Sequence, residues 1–325
     1  AFPREPDFSI GCAITGDEHR VVVARSAEDG EIVGVACRSV RHVFLNGRDE
    51  RVGYLGQLRV DERFRGRWLV SRGFALLEQM DRQDPLPAYL ASIVDGNDEA
   101  TGVLVGRRRR TFPAFHAVAN YQTLALPTRR RKSELTGVEK IVQGSSDQVP
   151  ELVAFLRTEG ARYQLASVWT EDGLTSLDAF GLRIEDVLVA RRKGTIVGVA
   201  ALWDQSAYKQ AVVRGYSGWL KALAPLILPR VGDEVRSVYA SLIHVANDEP
   251  ALFGRLLREA YNMARARGLE YLLVGLEARD PLLEVVRAYR HFAYPSRLYL
   301  ASWSRGGLVH EQLDGRLARV DIATL

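Results

Sequence analysis

The chain predicts an α/β (α+β) protein made of two tandem domains, each a mixed, mostly antiparallel sheet flanked by helices. Three observations predict it. The pentapeptide Ile-Val-Gly-Val-Ala occupies residues 32–36 and again 196–200, each time behind a Val-Ala-Arg strand end and a charged turn. After each copy the apolar spacing changes from strand-like to helical, and another short apolar run follows. The second copy is shorter only in its turn, where a sheet tolerates a length change without a shift of strand register.

Size and composition agree. With 325 residues, 47% of them hydrophobic and 26% charged, the chain can bury two cores of about 150 residues each. Its apolar runs fall short of a bilayer span and residues 1–11 contain no long apolar segment, so a soluble, cytoplasmic protein without membrane partners is expected. Cys12 and Cys37 are the only cysteines; they read as small buried residues, and no metal site is expected. The net charge of +4 is concentrated in residues 107–110 and 129–132. These clusters read as solvated loop and linker or as attraction for a phosphate-rich ligand, and neither has the interleaved aromatics of a nucleic-acid surface.

Each element has a local cause. In the first half, strands 21–25 and 31–40 join through Asp29-Gly30, and strands 42–45 and 53–60 flank Asn46-Gly47, both strong hairpin signals. Leu69, Gly73, Leu76, Leu77 and Met80 then fall at helical spacing, so a strand, loop and helix run over residues 54–83 until Pro85 and Pro87 stop them. Strand 88–94 and a short helix over 97–105 follow. The second half repeats the order: hairpin 187–190 and 196–203, an insertion over 204–233, strand 237–245, helix 250–267 ended by Gly268, strand 270–276, short helix 280–289 and strand 296–303. The expected division is a domain over 1–130, a linker over 131–147 and a second domain over 148–325, opened by a helix at 149–159.

Residues 58–79 carry the most chemistry. A strand end, an arginine-rich loop and a helix start come in succession, and unpaired N–H groups at that start, with the helix dipole and Arg63, Arg65 and Arg67, suit a pyrophosphate. Here the sequence resembles the GCN5-related N-acetyltransferase (GNAT) superfamily, whose pyrophosphate motif is Arg/Gln-x-x-Gly-x-Gly/Ala behind a valine at a strand end. Residues 60–70 fit that spacing with Arg65 in the first position, while Trp68 and Val70 replace the small residues. The resemblance implies an acetyl-CoA site made by Leu58, Arg59, Val60, Arg65, Gly66, Arg67, Trp68, Leu69 and Val70. Residues 92–100 are similar to the family's fifth strand and its Asn-x-x-Ala, which implies that Asn97 bonds near the pantetheine arm. Leu104 stands where the family often has a tyrosine that protonates the departing thiolate.

In the second half, residues 244–250 form the matching junction without the motif, and Glu249 stands near the place of the first basic residue, where a carboxylate would repel a diphosphate. A degenerate copy is expected. The resemblance implies an acyltransferase that moves acetyl from acetyl-CoA to a small-molecule or peptide amine by direct attack. Such an amine arrives protonated and must lose a proton. His244 and Glu62 are candidate bases, Tyr54 is a candidate acid, and each also reads as a packing or surface residue; Asp95, Glu99 and Tyr289 are further candidates. A main-chain N–H near Val60 would stabilise the tetrahedral intermediate. Two other readings stay open, a CoA-binding module without catalysis and nucleic-acid binding through the arginines. Acyl length, acceptor and a possible homodimer also stay open, since either the other half or another subunit could cover a sheet edge.

Overall fold

The structure, a computed structural model, describes residues 8–66, 68–106, 111–210, 212, 232–303 and 309–325. A short helix α1 (Phe8–Ala13) precedes the meander β1 (Glu18–Arg25), β2 (Ile32–Leu45) and β3 (Arg48–Val60), and then α2 (Leu69–Gln83), β4 (Tyr89–Val94), α3 (Asp98–Leu104) and β5 (Ala114–Pro127). Next come β6 (Lys140–Gln143), α4 (Val149–Gly160), α5 (Glu171–Ser176), β7 (Val187–Arg192), β8 (Thr195–Trp203) and β9 (Ser237–Val245). The chain continues through α6 (Pro250–Ala266), β10 (Tyr271–Glu277), α7 (Leu283–Arg287), β11 (Phe292–Ser302) and α8 (Val309–Gln312).

The hairpin turns form as their residues dictate. Asn46 and Gly47 have φ of 51° and 78°, and Lys193 and Gly194 have φ of 53° and 88°, the paired left-handed conformation of a tight hairpin. Strands expected separately at 31–40 and 42–45 are one strand, β2, because Arg41 interrupts the apolar run without interrupting the ladder and pairs with Val52.

The expectation of one sheet per half is corrected. The described strands form a single continuous sheet in the order β1-β2-β3-β4-β11-β5-β10-β9-β8-β7-β6. Its centre explains the continuity: β11 lies antiparallel on β4, β5 lies antiparallel on β10, and β5 and β11 pair with each other from Ala125–Phe292 to Ala114–Ser302. The last strand of each half therefore covers the open edge of the other half, which removes two exposed edges at once. Read outward from this central pair, the order is β4-β3-β2-β1 on one side and β10-β9-β8-β7 on the other.

Helix α6 packs Leu252, Leu256, Leu257, Ala260 and Tyr261 onto Leu124, Leu126, Val238 and Val274, while α4 covers the other face of the second half with Leu152, Val153 and Leu156 against Val189, Val199 and Trp203. In the first half α2 lays Phe74 and Leu77 against Phe112 and Phe115. The opposite face is covered by Leu165 and Val320, packed over Tyr54, Tyr121 and Leu298.

Residues expected as linker are anchored. β6 pairs with β7, and the main chain of Lys132 is bracketed by the Asn262 amide on α6 through two bonds of 3.0 Å. Cys12 and Cys37 are both buried. Among the described residues no group of side chains could hold a metal, and no helix is long and apolar enough to cross a membrane. Residues 107–110 and most of the 204–233 insertion lie outside the described residues.

Candidate functional site

Strands β3 and β4 are parallel and pair only at Gly53–Tyr89 and Tyr54–Leu90. Beyond these rungs they part. The divergence coincides with a bulge at Gln57, whose φ is 58° and across which the β2–β3 register shifts. The gap opens into a cavity of about 480 Å³, and Leu58, Arg59, Val60, Arg65, Gly66, Trp68, Leu69, Val70 and Asn97 all line it. Arg67 lies outside the described residues.

The local geometry suits an anion. Helix α2 starts at Leu69 with no capping bond from the side chain of Trp68 and no acidic residue in its first turn, so the positive end of its dipole faces no carboxylate of its own. Gly66 has φ of 77°, and Trp68, 70% exposed, has φ of 60° and ψ of 1°. The backbone at Trp68 thus adopts the left-handed conformation that favours glycine, the residue the motif has there. Arg65 reaches across the mouth to Glu99 on α3 at 3.3 Å. Arg63 bonds instead to Asp61 and Glu31, at 2.9 and 3.0 Å. Asn97 caps α3, its Oδ1 accepting from the Ala100 N–H at 3.1 Å, which leaves its Nδ2 as the donor end.

A second cavity, of about 430 Å³, lies under α2 between that helix and β1, β2 and β3. It shares Leu58, Arg59, Val60, Leu69, Val70 and Leu104 with the first. Sequence reasoning missed this space; Gly73, on the apolar face of a helix, was the available signal.

The catalytic candidates do not meet. Tyr54 is buried on the far side of the sheet from α2, with the Arg41 guanidinium 5.5 Å from its ring centre. Glu62 is exposed in a single helical turn that follows β3. His244 is 5% exposed on β9, with the Tyr163 ring edge-on at 6.2 Å. Burial, and after it the Arg319 charge, pushes its pKa down to about 3, so the ring is neutral near pH 7. The Tyr289 phenol accepts from Arg258 Nε at 3.0 Å.

The second half repeats the splay and fills it. β9 and β10 pair in parallel from Ser237–Tyr271 to Ala240–Val274 and then part, with a bulge at Leu242, φ 53°. Into the gap comes Asp321, whose carboxylate accepts from Ser241 Oγ and, at 2.9 Å, from the Leu242 N–H. Only about 20 Å³ remains there. Residues 246–249 replace the longer loop 61–68, and Asp248 accepts from Tyr163, from Arg162 at 2.9 Å and from Arg319 at 3.3 Å. Glu249 pairs with Arg192 at 2.6 Å, which holds its carboxyl below the usual range. Nothing in the sequence pattern marks Asp321 or Asp248 for these contacts.

No protein-family model matches the sequence, and no curated protein matches it. Solved structures do. A GCN5-related glucosamine N-acetyltransferase region of a fungal multi-domain GH3 β-N-acetylglucosaminidase aligns over 90% of this chain with a TM-score of 0.63 and 15% identity. The fold is that of the GCN5-related N-acetyltransferases. A GCN5-related N-acetyltransferase from Sphaerobacter thermophilus aligns over 94% of this chain and 83% of its own, with a TM-score of 0.58 and 14% identity. Saccharomyces cerevisiae N-myristoyltransferase with bound myristoyl-CoA aligns over 85% and 68%, with a TM-score of 0.57 and 11% identity. This chain spans 34% of the length of the fungal protein. At these identities the likeness is one of fold.

Proposed function

We propose that the chain is a CoA-dependent acyltransferase whose cofactor lies in the β3–β4 splay of the first half and whose acceptor is an amine of a small molecule or peptide. The observation that carries this reading is the two-rung pairing of β3 with β4 followed by a cavity at the start of α2. An open splay offers main-chain donors to an extended thioester, and the helix start offers N–H groups to a diphosphate. In this reading Arg59, Arg65 and Arg67 neutralise the diphosphate, Leu58 to Val60 with Leu69 and Val70 flank the pantetheine arm, and Asn97 Nδ2 donates to it. Acetyl-CoA is the simplest such thioester.

Attack is direct. The amine, once neutral, adds to the thioester carbonyl and forms the C–N bond, a main-chain N–H at the β3 bulge stabilises the oxyanion, and the C–S bond breaks to release CoA thiolate; the amide nitrogen gives up its extra proton to solvent and the thiolate takes one from solvent. Leu104, at the junction of the two cavities, supplies no proton. Of the three catalytic candidates, Glu62 alone belongs to the loop that bounds the groove, and it is the base in this reading, acting through water. The two halves are read as a duplication whose second copy, with its splay filled, serves as scaffold. Binding of CoA without transfer is the second reading, and Leu104 in the tyrosine position favours it.

The test is calorimetric titration of acetyl-CoA into the intact chain and into Arg65→Ala and Asn97→Ala. Weakening of about tenfold or more in Arg65→Ala is expected, as for a charged hydrogen bond to phosphate. Absence of binding in the intact chain would sink both readings. Binding without acyl transfer across a panel of primary amines would leave only the second.

A further inference from the structure

We propose that the cavity under α2 is an acyl-chain pocket, so that the chain prefers a thioester with an acyl group of several carbons over acetyl-CoA. This rests on the reading of the β3–β4 splay as the CoA site. Adjacency carries it first: Leu58, Val60, Leu69, Val70 and Leu104 line both cavities, so a thioester held in the splay would have its acyl end beside this space.

The chemistry of the lining agrees. Val22, Leu55, Phe74 and Leu77 form its walls, whereas Arg25, Arg59 and Arg72 are exposed at its rim. A void of about 430 Å³ beneath a helix is not the close packing of a protein interior. Val23, Leu58 and Leu76 border it and are 45%, 44% and 40% exposed, apolar surface that a bound chain would cover.

The helix keeps the space open at a cost. A Cβ added at Gly73 would meet nothing within 4 Å, so alanine fits there without collision and a larger side chain starts into open space. Glycine within a helix is disfavoured against alanine and leaves the void unfilled. At Gly34 a Cβ would lie 3.1 Å from the Leu69 side chain, so glycine there lets α2 and the sheet approach closely beside the cavity. A saturated acyl chain fits a cavity of this kind; a charged or branched polar acyl group does not.

The experiment compares CoA, acetyl-CoA, hexanoyl-CoA and octanoyl-CoA by calorimetry below their micelle concentrations, with the intact chain and with Gly73→Leu. Octanoyl-CoA is expected to bind at least tenfold tighter than acetyl-CoA, with a more negative heat-capacity change. Gly73→Leu should remove that advantage while CoA itself binds as before; its thermal midpoint, equal to or above that of the parent, reports that it is folded. Should Gly73→Leu fail to fold, Ala36→Leu fills the same space from the sheet side. Equal affinity for acetyl-CoA and octanoyl-CoA, with CoA bound, overturns the pocket and leaves the groove. A preference for octanoyl-CoA that survives both filled variants overturns it as well, because the chain then lies elsewhere. Failure of every thioester and of CoA to bind overturns the groove and the pocket together.

Discussion

The two splays of this sheet are built alike and finished differently. Each has a parallel strand pair that parts after a few rungs, and each parts at a bulge with a left-handed residue, Gln57 or Leu242. In the first half the loop 61–68 and the start of α2 leave about 480 Å³ open. In the second, carboxylates of the chain itself fill the space, Asp321 accepting from the Leu242 N–H and Asp248 from Arg319. The two splays thus differ in what occupies them: open space in the first and the chain's own carboxylates in the second. The Leu242 N–H at the second bulge is already satisfied by Asp321.

The largest expected effect breaks the filled splay. Asp321→Ala leaves Ser241 Oγ, the Leu242 N–H and the Ala323 N–H without their acceptor, and buried donors without partners cost about 1–3 kcal/mol each. Chemical denaturation should report a loss of about 3 kcal/mol or more, while CoA stoichiometry should stay at one per chain. A second bound CoA would show that only the plug separates the two halves. Next is a pH effect on the same region. His244 ordinarily titrates at 6.5 and is held at about 3 in the fold. Below 6.5 the unfolded chain takes up a proton that the folded chain refuses, so stability falls as pH drops from 6.5 toward 3, by about 1.4 kcal/mol per unit at the steepest. Urea unfolding at pH 7.5 and pH 5 should therefore differ by about 2 kcal/mol from this group, and His244→Phe should remove that share. An unchanged slope in His244→Phe would mean that the ring is not neutral and buried as the fold has it.

What could be read from the sequence followed the range of the interactions that set it. The Asn46-Gly47 and Lys193-Gly194 turns and the faces of α2 and α6 depend on residues a few positions apart, and they stand where the pattern puts them. The residues expected at the splay fall together for the same reason, since nine of those lining the first cavity lie within 58–70 and Asn97 caps the next helix. The exchange of β5 and β11 was not, because it depends on partners from the other half: Leu124 meets Val274 and Ala293 across the ladder, and no local period marks this. Tyr54 shows a subtler failure. Strict alternation would put Tyr54, Leu58 and Val60 on one face, but the Gln57 bulge inserts a residue, and Tyr54 ends on the side opposite α2. Asp321 carries no signal at all, as its role exists only once the tail crosses the sheet to β9.

Two smaller effects sharpen the open splay. Trp68 holds φ of 60° at the start of α2, a conformation that costs a non-glycine residue about 1 kcal/mol. Trp68→Gly should restore part of that, offset by the added freedom of glycine in the unfolded chain, and should bring the backbone closer to the diphosphate. A small rise in thermal midpoint with tighter CoA binding is expected; a clear fall in the midpoint would mean that the indole's contacts outweigh the strain. The smallest change is at the mouth. Arg65 and Glu99 are both exposed, 51% and 61%, and pair at 3.3 Å, so their link adds little to stability. It does compete with a phosphate for the same guanidinium. Glu99→Gln should tighten CoA by about threefold at low ionic strength and by less as salt screens both interactions, and calorimetry at two salt concentrations reads the difference. If Glu99→Gln weakens binding instead, Glu99 is orienting Arg65 toward the ligand, and the mouth is held by an ion pair that the second half, with Arg192 on Glu249, keeps only for its own packing.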